Sequence, residues 1–306
     1  MKSFVLALLC LSSRIVLAHD TTAYNLAKES FIKDEKLKAL DMCIDILSKD
    51  PQYVDAYVLR GSLYLDLGLP LDARDDFNTA IKLNRNCFEA YMGRGMFYQM
   101  NDYFDEAIAD FKMAESINDS SLILFAIRST LYNKLHLYDL NIQQLSKGIQ
   151  KHPKSLILYQ SRSYVYICKN KLDSAIMDAF ATLKIDSTDI TAKTNLGFCY
   201  ILLKQYKKAN DIYTKLNITS ESHPYMLSNY GFVQYKMGKK IEGLDNIYRS
   251  LKILENNAFA HRYLAEISIE EKDLETACYH INKSLKLGYT SEYGNYVETL
   301  QKKYCQ

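Results

Sequence analysis

The side chains in this chain whose types could do chemistry are six histidines, seven cysteines and a series of arginines. His19, His136, His152, His223, His261 and His280 are scattered, with no His and Glu helix motif and no spacing that gathers metal ligands. There is no glycine-rich phosphate loop or nucleophile elbow, and no acid, base and nucleophile fall together. The sequence therefore predicts no catalytic residue, no metal and no cofactor. Beyond Cys10, the cysteines are Cys43, Cys87, Cys168, Cys199, Cys278 and Cys305. Their spacing is irregular, which favours buried small apolar residues over a repeating set of disulfides.

The arginines are different, because Arg60, Arg94, Arg128 and Arg162 stand 34 residues apart. Such a ladder could take an acidic ligand. Sixteen residues after these arginines come Asp76, Asp110, Gln144 and Asp178, whereas two other pairs of the same spacing are Leu26 with Met42 and Leu196 with Ile212. Charge accompanies charge and apolar accompanies apolar. This predicts structural ion pairs Arg60–Asp76, Arg94–Asp110 and Arg162–Asp178, with the bidentate geometry that favours arginine.

The arginine spacing belongs to a period of the whole chain. Frames of 34 residues starting at Asp20 cover 20–53, 54–87, 88–121, 122–155, 156–189, 190–223, 224–257 and 258–291 without a gap. The eighth residue is always small: Ala27, Gly61, Gly95, Ser129, Ser163, Gly197, Gly231 and Ala265. The eleventh is Tyr in five consecutive frames, from Tyr64 to Tyr200, and the twentieth is Ala in six. A match at fixed period marks a stacked repeat array. Within a frame, Tyr57, Gly61, Tyr64 and Leu65, then Ala73, Phe77, Ala80 and Ile81, recur at helical spacing. Gly68, Leu69 and Pro70 interrupt them, so each repeat reads as helix, turn, helix. Asn101, Asp102, Asn170 and Gly238 suit the same turn in other repeats, because they tolerate a left-handed backbone. Pro51 and Pro153 mark the exit of the second helix.

These residues resemble the tetratricopeptide repeat family: small at position 8, Tyr at 11, Ala at 20, aromatic at 24 (Phe77, Phe111, Tyr213) and sometimes Pro at 32. Asn141 and Gly243 at position 20, and Lys193 and His261 at position 4, depart from its pattern. The resemblance spans residues 20–291 and implies an all-α fold, a right-handed superhelical solenoid of helix-turn-helix repeats. It also implies that first helices line a concave face, where family ligands touch positions near 2, 5, 6, 9, 12 and 13. Carried over, these positions make Asn195, Phe198, Asn229, Phe232, Tyr235 and Arg262 the candidate partner-binding residues. Asn195 and Asn229 each head an Asn, any residue, Gly, Phe sequence. An Asn amide both donates and accepts, so it can hold a peptide backbone of any sequence. Helices about 8 to 10 Å apart would bring one Asn to every third residue of an extended peptide rising about 3.3 Å per residue.

The 38 basic and 36 acidic side chains are dispersed and leave a formal charge of +2, so a nucleic-acid partner is not expected. Lys2, the apolar run from Phe4 to Leu11, and small Val16 and Ala18 read as a signal peptide over residues 1–18, cut after Ala18. The run is too short to span a bilayer, which takes about 20 residues. Export to a periplasmic or extracellular space is expected, the alternative being a cytoplasmic protein with a frayed first helix. Residues 292–306 read as an amphipathic helix capping the last repeat. The functional expectation is a non-catalytic scaffold that binds an extended protein or peptide segment on its concave face. The alternative is a structural subunit of a cell-envelope assembly that uses convex or end surfaces.

Overall fold

The computed structural model describes residues 21–219, 222–289 and 295–305, so the expected signal segment lies outside the described residues. The described residues form seventeen α-helices and no strand. They fall into two compact units that divide after Leu131. The first holds α1 (Thr21–Ile32), α2 (Lys36–Lys49), α3 (Val54–Asp66), α4 (Pro70–Leu83), α5 (Phe88–Met100) and α6 (Phe104–Ile117). Helix α7 (Leu122–Lys134) crosses the division. The second holds α8 (Tyr138–Lys151), α9 (Leu156–Cys168), α10 (Leu172–Ile185), α11 (Ile190–Leu202), α12 (Tyr206–Tyr213), α13 (Pro224–Lys236), α14 (Lys240–Ile253), α15 (Ala258–Glu270), α16 (Leu274–Lys286) and α17 (Tyr296–Tyr304).

From α3 onward, the first helix of each repeat begins at its first frame position. Every second helix begins at the seventeenth. The turn between them is fixed by one left-handed residue at the fifteenth position: Asp34, Gly68, Asp102, His136, Asn170, Lys204, Gly238 and Lys272 have φ between 53° and 89°. In each turn the next backbone N–H bonds back to the carbonyl of position 11, as in Leu69 to Tyr64 at 2.8 Å and Lys171 to Tyr166 at 2.8 Å. That bond ties off the helix end. His136, Lys204 and Lys272 adopt the conformation although their Cβ atoms disfavour it, so repeat packing imposes the turn there. With or without the exit proline, second helices stop at a local bond: Asp50, Asn84, Asn118 and Asp186 accept from the backbone N–H two residues on, at 2.8–3.2 Å, and this bond competes with further helix.

Where position 24 is aromatic, the small eighth residue sits under its ring. A Cβ added to Gly61 would lie 2.9 Å from the Phe77 ring, and one on Gly95 would lie 2.6 Å from Phe111. In the α13–α14 pair both contact residues are glycine. A Cβ on either Gly231 or Gly243 would lie 2.5 Å from the other's carbonyl oxygen. The Gly243 departure thus admits a backbone-to-backbone contact. Asn141 is buried and satisfied: it donates to Asn133 Oδ1 and accepts from Gln144 Nε2, both at 2.8 Å.

One second helix is short. Helix α12 has eight residues, passes into a 3-10 turn over Thr214–Leu216 and ends at Asn217, which is left-handed with φ 47°. It therefore stops before Glu221, the exit position expected from the frame. Thr214, Asn217, Ile218 and Thr219 are poor helix formers, yet α13 still begins in register at Pro224.

Helix α17 packs on the last repeat, burying Val297 against Ala265, Ile281 and Tyr289. A disulfide joins Cys278 of α16 to Cys305 beyond α17, with 5.5 Å between the Cα atoms. The bridge occurs once, not from repeat to repeat, and the irregular spacing of the cysteines left this pairing open. Cys43, Cys87 and Cys199 are buried free thiols, and burial pushes their pKa values up to about 12.

Candidate binding groove

In the arginine series, Arg60 Nε donates to Asp76 Oδ2 at 2.8 Å and its Nη2 to Oδ1 at 2.7 Å. Arg94 with Asp110 and Arg162 with Asp178 repeat both distances. Each guanidinium lies between the tyrosines at positions 4 and 11, as Arg94 does between Tyr91 and Tyr98 at 5.7 and 5.9 Å. Its remaining edge can reach the preceding repeat: Arg94 Nη1 donates to Asn78 at 2.7 Å, and Arg162 Nη1 to Ser146 at 2.8 Å. Hydrogen bonding to the carboxylate raises the pKa of all three arginines. Arg128 instead pairs with Glu115 on α6 at 2.6 Å. With carboxylate, neighbouring helix and two rings around each, Arg94 and Arg162 are structural members.

The six candidate partner-binding residues divide into two groups. Asn195, Phe198 and Asn229 line a cavity of about 540 Å³ with Tyr164, Ile167, Ile190, Thr191, Thr194, His223, Tyr225, Met226 and Phe259. All lie on α9, α11, α13 and α15, the first helices of repeats 5 to 8, except His223, which immediately precedes α13. Aromatic contacts set its walls. Phe198 meets Phe259 edge to face at 5.2 Å, Tyr225 meets Phe259 likewise at 5.5 Å, and His223 lies 5.3 Å from Tyr225. No Lys, Arg, Asp or Glu is among the lining residues. The half-buried Asn195 amide makes no hydrogen bond within the described residues, so its donor and acceptor are available to a ligand.

Asn229 is 5% exposed and already engaged. It accepts from the Tyr263 hydroxyl at 2.6 Å, while the neighbouring Tyr213 hydroxyl donates to the Thr194 carbonyl at 3.3 Å. Burial raises the pKa of both phenols.

Phe232, Tyr235 and Arg262 are not among the residues that line the cavity. Phe232 is 1% exposed and stacks on Tyr263 at 4.3 Å. Tyr235 is buried with its hydroxyl on Glu271. Arg262 is 5% exposed; it donates from Nε to Glu266 and from Nη1 to Tyr289, each at 2.8 Å, inside a cage of Tyr263, Tyr289 and Tyr296 rings 5.1–5.4 Å away. Their polar groups are satisfied by the fold itself. The lining residues not singled out from the sequence had a signal: Tyr164 and Ile167 are positions 9 and 12 of repeat 5, and Tyr225 and Phe259 are position 2 of repeats 7 and 8.

A second cluster is formed by His261 and His280, both buried, with 2.9 Å between their Nδ1 atoms. His261 Nε2 lies 3.3 Å from the Glu255 carbonyl, so it carries the proton, and His280 Nδ1–H donates to His261 Nδ1. Burial lowers the pKa of both rings, that of His280 to about 4. Among the described residues no group of three or more His, Cys, Asp or Glu could hold a metal ion, and no helix is long and apolar enough to cross a membrane.

A family model described as tetratricopeptide repeat matches residues 54–87, the second repeat. No curated protein matches the sequence. Among solved structures, a tetratricopeptide repeat protein from Parabacteroides merdae aligns with TM-score 0.67 at 15% identity, covering 81% of this chain and 98% of that one. The Pseudomonas aeruginosa pilF protein aligns at 0.60 and 13%, covering 72% and 99%. The human IFIT1 dimer with m7Gppp-AAAA aligns at 0.55 and 16%, covering 87% and 68%. At these identities the likeness is one of fold.

Proposed function

From the tetratricopeptide-repeat fold of this chain, we propose that it is a non-catalytic scaffold whose first-helix face in repeats 5 to 8 binds an extended segment of a partner protein. The observation that carries this reading is the cavity lined by four consecutive first helices, with the unbonded Asn195 amide in its wall. A ligand pocket of this kind is concave and mostly apolar, with a few placed polar groups. The neutral lining and the dispersed charge of the chain support a protein partner over a nucleic acid, which needs cations for its phosphates.

Export is part of the same proposal. The amino-terminal pattern supports it, and so does the Cys278–Cys305 bridge, since disulfides persist in oxidising compartments.

A photo-crosslinking residue at Thr191, on the cavity wall, tests the reading against a control at Ile241, which is 84% exposed on α14. In the native host, protein adducts are expected from Thr191 and not from Ile241. Adducts from Ile241 alone would move the partner surface to the second helices and sink the groove.

A further inference from the structure

The repeats carry an internal template for what this cavity accepts, because the Asn, any residue, Gly, Phe unit occurs twice, as Asn195 to Phe198 and Asn229 to Phe232. At the second copy the unit is occupied. Tyr263, position 6 of repeat 8, stacks its ring on Phe232 at 4.3 Å and 15° and donates its hydroxyl to Asn229 Oδ1 at 2.6 Å. At the first copy, the residue that corresponds to Tyr263 is Asn229 itself, one period earlier. A short amide stands where a phenol stands in the next repeat. Asn195, Phe198 and Asn229 all line the cavity, Phe198 with 7% of its surface exposed and its ring edge to face with Phe259. The Asn195 amide is left with no hydrogen bond among the described residues.

We infer that the cavity takes a tyrosine side chain from the partner segment, with its ring against Phe198 and its hydroxyl on the Asn195 amide, as Tyr263 binds the next copy of the unit. This rests on the groove reading above and names the residue the groove selects. The lining fits a neutral phenol. It has aromatic walls in Phe198, Tyr225 and Phe259, and no Lys or Arg to meet a carboxylate or phosphate. A tyrosine brings a large ring at low entropic cost and a hydroxyl that must find a partner when buried. Phenylalanine would leave the amide unpaired in the closed site, which disfavours it.

The test is an NMR titration of the full chain with p-cresol and with toluene, which differ only in the hydroxyl. We expect p-cresol to shift the Asn195 side-chain amide and to bind about three- to tenfold tighter than toluene, the range of one net hydrogen bond. In Asn195→Leu that preference should vanish while toluene binding persists. Equal affinity of the two rings for the unaltered chain would overturn the tyrosine inference and leave the groove reading standing. Failure of both rings to bind at millimolar concentration, with Thr191 adducts still formed, would overturn the inference in the same way. Loss of ring binding and of Thr191 adducts together would overturn both.

Discussion

Arg94 is held from four sides, by Asp110, Asn78, Tyr91 and Tyr98, and Asp110 is almost fully buried. Removing the arginine alone strands that carboxylate, so Arg94→Leu should destabilise by about 3 kcal/mol, whereas Arg94→Leu with Asp110→Leu should recover most of the loss. Urea unfolding of the two variants measures this; equal losses would mean that the pair is not the source of the cost. The register comparison made the Asp partners legible in the sequence. The Glu115 partner of Arg128 was not, since it lies 13 residues back, off the period followed by the others. The histidine pair gives a second prediction at this scale. Unfolded imidazoles protonate near pH 6.5, while His280 in the fold resists protonation until about 4. Between those values the unfolded chain binds more protons, so stability rises with pH. The contribution is present above about pH 6.5 and is lost as pH falls toward 4. His280→Leu should flatten this limb when urea midpoints are compared at about pH 7 and about pH 5, and an unchanged slope would assign the limb to other groups.

At the scale of elements, the period placed the helices and their turns because each repeat meets the same packing problem. The residue at position 15 shows how strongly this acts: Gly238 and Asn170 suit the left-handed turn, but Lys204 and Lys272 adopt it as well. Two local features were less legible. Helix α12 ends early at Tyr213 and runs through a 3-10 turn into the weak helix formers Asn217 to Thr219, a local preference that the frame alone does not show. Gly243 reads as a lapse from Ala, yet it faces Gly231 across a contact with no room for a methyl group. Gly243→Ala restores the residue usual at position 20 and should nonetheless destabilise by about 2 kcal/mol, because backbone rather than a movable side chain blocks the methyl. Chemical denaturation checks it, and a neutral or stabilising result would contradict the close approach. The same logic divided the candidate groove. Asn229 and Phe232 look like Asn195 and Phe198 in sequence, but Tyr263 and Tyr206 pack on the second copy, where the residues one period earlier are Asn229 and Leu172.

For the molecule as a whole, repetition explains the scaffold and its interruption locates the site. Each unit is built from helix pairs whose small and aromatic residues repeat. The cavity lies within the second unit, where repeat 7 lacks the tyrosine that repeat 8 carries. Place relative to the cavity, not charge, separates the candidates: Arg262 is chemically the most conspicuous of them and is caged by three tyrosine rings away from the lining. The central claim is that the partner binds on the first-helix face of repeats 5 to 8. The most direct measurement is the affinity of the Thr191-crosslinked partner for Thr191→Trp, which fills the cavity from an exposed wall position, beside Ile241→Asp on α14. The account predicts at least about a tenfold loss for Thr191→Trp, with unchanged thermal unfolding, and no loss for Ile241→Asp. Full affinity in Thr191→Trp would contradict it.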